Sequence, residues 1–205
     1  MVAEDSLEPE GFHWQTLGFV LLLHGELSAA RAELDGALGA ARRAGDRSLE
    51  LANLTFLAWA CLRQHDLPGV KEMIEQSTGL LQTDGFPTAG MMRAMSSWVA
   101  WQEGHFDDVE DIARDALERW RPCLVRYPFR WICLWPLIAV RLARGRDEEA
   151  MMSARDMVRP PQMRMPAPLE ALVGSALAAW EAGRRSLAVG RLGKALQVAE
   201  GLCFV

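Results

Sequence analysis

Five short breaks recur along this 205-residue chain at nearly constant spacing. They are centred on Gly25, His65, Gly104, Gly145 and Gly183, so consecutive breaks lie 40, 39, 41 and 38 residues apart. A period near 40 residues is typical of repeat proteins whose unit is a pair of helices joined by a short turn. Glycine suits the left-handed backbone that ends many helices, whereas histidine is less comfortable there. The breaks therefore predict five helix pairs.

The residues around each break repeat the apolar pattern of a packed helix pair. Three and six residues before a break stand mostly large apolar side chains, such as Trp98 and Trp101, which share one face of a helix. Five, nine and twelve residues after a break stand mostly small residues at helical spacing, such as Val109, Ala113 and Ala116. We therefore expect the large residues of each first helix to pack on the small residues of the second.

The predicted architecture is all-α, a right-handed α-solenoid of about five antiparallel helix pairs. Helices are expected at about 10–24, 27–43, 47–64, 67–81, 88–103, 106–120, 128–143, 146–158, 167–182 and 185–201. An N-terminal tail, residues 1–9, precedes a single helical-repeat domain over residues 10–205. The repeats of this domain cover about residues 10–45, 46–85, 86–125, 126–165 and 166–205.

Glycine and proline mark further features of these elements. Pro136 lies inside the seventh predicted helix and is expected to kink it or to delay its start, because proline removes a backbone hydrogen bond. Residues 159–168 carry four prolines, which favour an extended connector and leave a recognition loop as the alternative. Glycines inside helices are expected to allow close helix approach; they are Gly36, Gly39, Gly69, Gly79, Gly174, Gly190 and Gly193.

Charge and composition restrict the classes of partner and compartment. The formal net charge of -5, without a cluster of basic residues, argues against nucleic acid as the main partner. The longest apolar runs, residues 17–23 and 131–140, fall far short of the roughly 20 residues that cross a bilayer. The acidic N-terminus lacks the basic start of a secretory signal, and three of the four cysteines lie in apolar helical stretches. These features predict a soluble, cytoplasmic protein with no membrane partner.

The chain resembles a known class of helical repeats over residues 11 to 203. The resemblance is carried by Tyr127-Pro128-Phe129-Arg130-Trp131, Leu134-Trp135-Pro136-Leu137, Ala143-Arg144-Gly145-Arg146 and Ala178-Ala179-Trp180-Glu181-Ala182-Gly183. These segments are similar to tetratricopeptide-like C-terminal repeats of large bacterial signalling proteins. Such proteins join a class III adenylate/guanylate cyclase or a DNA-binding domain to a STAND-type ATPase, and regulators of the maltose type share the architecture. The resemblance implies a sensor or regulatory region in bacterial signal transduction.

Catalytic, metal-binding and cofactor-binding residues are not predicted. The sequence has no Gly-x-x-x-x-Gly-Lys-Ser/Thr loop to hold a phosphate, so no ATPase or cyclase residue is carried over from the resemblance. His105 with Asp107, Asp108, Glu110 and Asp111 could suggest a metal site, but the helix macrodipole favours acidic residues there without a metal. No histidine shares a local motif with a serine or cysteine. We therefore expect a protein that is not an enzyme.

A set of arginine and aromatic residues is the predicted partner-binding site. Tetratricopeptide-like arrays line their concave side with first helices, and arginine and aromatic side chains are enriched at binding hot spots. The predicted residues are Arg93, Arg126, Tyr127, Arg130, Trp131 and Arg141. They suit a protein or peptide partner, including an acidic peptide, or an anionic small molecule. The competing interpretation is that the aromatic residues belong to the core and the arginines are merely solvated.

The sequence thus predicts a non-catalytic scaffold that binds a protein or peptide partner. Two alternatives within the binding class are self-association, including a homodimer through the apolar C-terminal end, and small-molecule sensing. An enzyme accessory or catalytic subunit is the alternative from another class. A deep pocket with convergent titratable groups would favour it.

Overall fold

The computed structural model describes residues 9–81, 87–123, 127–160 and 162–202, and within these ranges the chain is helical and has no β-strand. The helices are α1 (Pro9–His24), α2 (Leu27–Ala44), α3 (Arg47–Arg63), α4 (Leu67–Ser77), α5 (Pro87–Gln102), α6 (Phe106–Arg119), α7 (Trp131–Ala143), α8 (Asp147–Met157), α9 (Ala167–Glu181) and α10 (Arg185–Gly201). The predicted all-α class is confirmed. In the described ranges, no helix is both long and apolar enough to cross a membrane.

The chain divides into two compact units, Met1–Thr88 and Ala89–Val205. In the first unit α2 packs on both α1 and α3, and α3 packs on α4. In the second unit α6, α7, α8 and α9 each pack on the next helix, and α10 also contacts α7. α5 joins α6 through a hydrogen bond of 3.3 Å that Ser97 Oγ donates to the Val109 carbonyl oxygen. The unit boundary falls close to the predicted border between the second and third repeats.

All five breaks adopt the predicted left-handed backbone. The φ angles are 89° at Gly25, 78° at Gly104, 68° at Gly145, 73° at Gly183 and 55° at His65, the one non-glycine residue with positive φ in the described ranges. At each break the N–H of this residue bonds to the carbonyl three residues earlier, and the next N–H bonds to the carbonyl five residues earlier. This pair of bonds is the Schellman motif, which satisfies the last carbonyls of a helix.

The expected small-residue face of the second helices is buried. The positions five, nine and twelve residues after the breaks are all buried except Ile74, which is partly exposed. Before the breaks, the positions that are buried are Leu22, Leu62, Trp59, Trp98, Ala139 and Leu177. Phe19, Trp101, Leu142 and Trp180 at the same positions are half-buried. The apolar pattern therefore identifies the packed face of the second helices better than that of the first.

Four of the seven glycines predicted inside helices do not allow the close helix approach that was expected of them. A Cβ on Gly79, Gly174, Gly190 or Gly193 would meet no atom within 4 Å, so these glycines do not serve close helix approach. Gly69 does, because its Cβ would lie 2.8 Å from Cys61 Sγ on α3. The tight approaches that the sequence did not reveal are at Gly18 and Gly90. A Cβ there would lie 2.7 Å from Leu34 Cγ and 2.5 Å from Trp120 Nε1 respectively.

The segment that leads into α7 is held by the proline-rich connector. α7 begins at Trp131, later than the expected residue 128, and Pro136 lies inside it. Met163 N–H donates to the Pro128 carbonyl oxygen at 2.9 Å, and Gln162 Nε2 donates to the Tyr127 carbonyl oxygen at 2.8 Å. The described part of the connector thus holds residues 127–128, which lie just before α7.

Candidate functional site

The second unit carries two neighbouring cavities, of about 510 and about 500 Å³, that share Leu117 in their walls. We call the two together the basic groove. The first cavity is lined by Leu117, Leu134, Leu137, Arg141, Met152, Ser153, Arg155, Asp156 and Arg159. The second is lined by Arg114, Leu117, Glu118, Trp120, Arg121, Cys123, Tyr127 and Arg130. The groove therefore lies over α7, with α6 and α8 supplying most of its walls.

The lining of the groove is strongly basic although the chain is acidic overall. Six arginines face two carboxylates, which leaves an excess of four positive charges in a chain of net charge -5. Carboxylates outside the lining pair with three of these arginines: Asp111 with Arg114, Glu181 with Arg155 and Glu149 with Arg141. Two further arginines of the lining, Arg121 and Arg159, are exposed. Neither has an acidic partner in the described part of the chain.

An ion pair connects the two cavities. Arg130 lines one cavity and Asp156 lines the other, and Arg130 Nη2 lies 2.8 Å from Asp156 Oδ2. The side chains are 17% and 25% exposed, so water screens this pair less than a surface pair. The backbone of Arg130 is fixed as well, because its carbonyl oxygen accepts from Cys133 N and Leu134 N in the first turn of α7. The Arg130–Asp156 pair therefore lies where the two cavities of the groove meet.

Arg141 acts as a fixed part of the wall. Its Nη1 donates to Ser153 Oγ at 2.6 Å and to the Glu149 carbonyl oxygen at 3.2 Å, which ties α7 to α8. Burial lowers the pKa of the Arg141 guanidinium, while the charges of Glu149 and Glu110 oppose that shift. These contacts hold the guanidinium against α8, so Arg141 is poorly placed to reach out to a ligand.

Aromatic and apolar residues also line the groove beside its charges. Trp120 stacks on Tyr127 with ring centroids 4.7 Å apart, and Tyr127 meets Phe129 edge-on at 5.7 Å. Burial is the main cause that raises the pKa of Tyr127, and its hydroxyl lies 3.6 Å from Met91 Sδ. In the other cavity, the side chain of Met152 is 61% exposed. A ligand of this groove can thus combine negative charge with apolar groups.

The structure brings only part of the predicted site together. Tyr127, Arg130 and Arg141 line the groove, whereas Trp131 is buried in the core at 1% exposure. Arg93 lies outside the lining. Arg126 lies outside the described residues.

Arg93 belongs to a separate cluster between α5 and α6. Its Nε lies 2.5 Å from Asp115 Oδ2, and Arg119 Nε lies 3.2 Å from Asp115 Oδ1. Burial by itself raises the pKa of Asp115, but the hydrogen bonds from the two arginines outweigh burial and hold the pKa below its ordinary value. This geometry gives Arg93 a structural role in joining two helices.

Sequence reasoning missed the groove residues of the second helices. Those residues are Arg114, Arg121, Met152, Arg155, Asp156 and Arg159. The available signal was a stripe at spacing i, i+4, i+7, formed by Arg114, Glu118 and Arg121 on α6 and the turn after it. Met152, Asp156 and Arg159 form the same stripe on α8 and the residues after it. The stripes mark two helix faces, but the sequence alone does not show that these faces border one groove.

The first unit has a smaller cavity of about 230 Å³, in whose lining Asp66 has a local structural role. Asp66 caps α4 by accepting from Gly69 N at 2.9 Å, and it lies 3.5 Å from Arg31. Burial is the main cause that raises the pKa of the Cys61 thiol in this cavity to about 11. The described residues contain no group of three or more His, Cys, Asp or Glu that could hold a metal ion.

Comparison with known proteins gives no identity for the chain. No protein-family model matches it, and no curated protein matches its sequence. The functional assignment therefore depends on the basic groove itself.

Proposed function

We propose that this chain is a non-catalytic helical-repeat scaffold whose basic groove binds a segment of another protein. The observation that carries the proposal is the groove itself, where exposed arginines without acidic partners lie beside exposed apolar surface. Guanidinium groups and aromatic side chains are the residue types that dominate binding energy at interfaces. A surface of this kind favours recognition of a polypeptide over a purely structural role.

The repeat architecture is part of the proposal. Five Schellman breaks at nearly equal spacing, and consecutive helices that pack on each other inside each unit, support a right-handed α-solenoid of antiparallel helix pairs. Such arrays offer extended surfaces for partners. The resemblance over residues 11 to 203 supports a regulatory or sensor region of a bacterial signalling ATPase or cyclase.

The composition of the groove favours binding over catalysis. Nucleophilic catalysis requires a base held beside the nucleophile. Cys123 is the thiol of the lining, and no histidine is among the lining residues of either cavity. Each cavity has a volume within the range of small-molecule sites, about 300–1,000 Å³, so sensing of an anionic small molecule is the second candidate.

The test uses charge reversal at the two exposed arginines without acidic partners. In the variant Arg121→Glu/Arg159→Glu two positive charges of the groove become negative, and the helix-joining contacts of Arg130 and Arg141 stay intact. The matched control is Arg43→Glu/Arg184→Glu, because both residues are exposed, lie outside the groove lining and change the net charge equally.

Peptides that bind the wild-type chain are first selected from a random displayed library, and their dissociation constants are then measured by calorimetry with all three proteins. We expect the control to bind like the wild type and the groove variant to bind at least about tenfold more weakly, a loss of about 1.4 kcal/mol. Equal affinity for the three proteins, or a selection that recovers no binding peptide, would overturn the proposal.

A further inference from the structure

We infer that the groove binds an acidic peptide segment. In the free chain Asp156 is paired with Arg130, and a carboxylate of the ligand displaces Asp156 from this pair. The inference rests on the proposed function, because it names the chemistry of the partner at the same site. It also assigns a role to a carboxylate inside an otherwise basic groove.

Charge complementarity points to the acidic peptide. Arg121 and Arg159 are exposed without an acidic partner in the described ranges, and a guanidinium can bind a carboxylate with two parallel hydrogen bonds. The neighbouring Leu117 and the exposed Met152 need apolar groups of the ligand to cover them. A peptide with both glutamate or aspartate and apolar side chains supplies these contacts together, whereas a free inorganic anion leaves the apolar surface in water.

The position of the Arg130–Asp156 pair gives Asp156 its role. The pair joins one cavity to the other, so a ligand that spans both cavities meets it. A ligand carboxylate that takes over Arg130 replaces one ion pair by another, and the cost of separating the original pair lowers the measured affinity. Arg159, another arginine of the lining, follows Asp156 by three residues, after α8 has ended at Met157.

The experiment compares Asp156→Asn with a control of equal charge, Asp111→Asn. Asp111 also faces an arginine of the groove, Arg114 at 2.8 Å, but that pair is 76% and 63% exposed and therefore contributes little. The probes are three synthetic ten-residue peptides that share their apolar residues and carry glutamate, glutamine or lysine at the remaining positions. Binding is measured by fluorescence anisotropy at two salt concentrations.

We expect the glutamate peptide to bind at least about tenfold more tightly than the glutamine peptide, with weaker binding at high salt. Asp156→Asn should raise the affinity for the glutamate peptide about threefold to tenfold, and Asp111→Asn should change it by less than about twofold. Asp156→Glu keeps the carboxylate and should bind the glutamate peptide like the wild type. This variant controls for the possibility that a folding defect causes the changed affinity of Asp156→Asn. In an Arg130→Gln background the effect of Asp156→Asn should vanish.

The outcomes separate this inference from the proposed function. An equal rise for Asp111→Asn, or no rise for Asp156→Asn, would show a general charge effect and refute the role of Asp156. A preference for the glutamine or lysine peptide would refute the ligand class while binding in the groove still stood. Loss of every peptide on Arg121→Glu/Arg159→Glu supports the groove in each case.

Discussion

The contact between Gly90 and Trp120 allows a sharp test of the packing of the second unit. An alanine Cβ at residue 90 would lie 2.5 Å from Trp120 Nε1 and 2.8 Å from its Cε2. Carbon atoms normally approach to about 3.5–4.0 Å, so the indole must retreat by about 1 Å. Trp120 is 3% exposed and stacks on Tyr127 at 4.7 Å, which leaves the ring little room to move.

The expected free energy combines two opposing effects. Excess volume in a packed core costs about 1–3 kcal/mol, whereas replacing glycine by alanine inside a helix gains about 0.5–1 kcal/mol. Gly90→Ala should therefore destabilise the chain by about 1–2 kcal/mol. Gly174→Ala is the matched control, because its Cβ would meet no atom within 4 Å and only the helix gain remains. That variant should be more stable than the wild type by about 0.5–1 kcal/mol.

Urea unfolding followed by circular dichroism and tryptophan fluorescence measures both variants. With a slope of about 1–3 kcal/mol per molar urea, a difference near 2 kcal/mol separates the two midpoints by about 1 M. Because the chain has two compact units, the comparison uses the transition of the second unit, which contains both glycines. A midpoint of Gly90→Ala at or above that of the wild type would refute the packing.

Three further predictions concern stability. Trp59→Ala should cost about 3–5 kcal/mol in urea unfolding, because the side chain is 2% exposed and packs near Phe19; a cost under about 1 kcal/mol would contradict its core position. Asp115 has a lowered pKa in the folded chain, so its stabilisation exists above the unfolded pKa and disappears as pH falls through the folded pKa. Asp115→Asn should therefore cost about 0.5–1 kcal/mol at neutral pH and almost nothing near pH 2, and a constant difference between the two unfolding curves would argue otherwise. His65→Gly should raise the unfolding free energy by about 1 kcal/mol, since it relieves a left-handed backbone at φ 55°; a lower melting temperature in calorimetry would show that the histidine side chain outweighs this strain.

The breaks and the small-residue faces could be predicted from the sequence because both depend on local rules. A helix end at positive φ favours glycine, so Gly25 and Gly183 reveal the same Schellman turn. Likewise, small residues at helical spacing mark a packed face, as at Ala150 and Ala154, which are fully buried. These signals require no knowledge of which other helix lies opposite.

The tight glycines and the groove could not be predicted, because they depend on the partner across a helix interface. Gly90 and Gly174 look alike in sequence, yet only Gly90 lies against an indole. Trp131 belongs to a residue type common at hot spots, but the packing of α7 turns it into the core. The arginines of α6 and α8 form one groove only because both helices pack on α7.

Every positive charge in the lining of the basic groove is a guanidinium, and neither lysine nor histidine contributes. A guanidinium stays protonated at any pH that a living cell reaches. Acidification toward pH 5 therefore leaves the positive charge of the lining unaltered. Ionic strength acts differently, since raising it from 0.15 to 1 M shortens the screening length from about 8 to about 3 Å. Salt, rather than acidity, is the variable that would make such a complex dissociate.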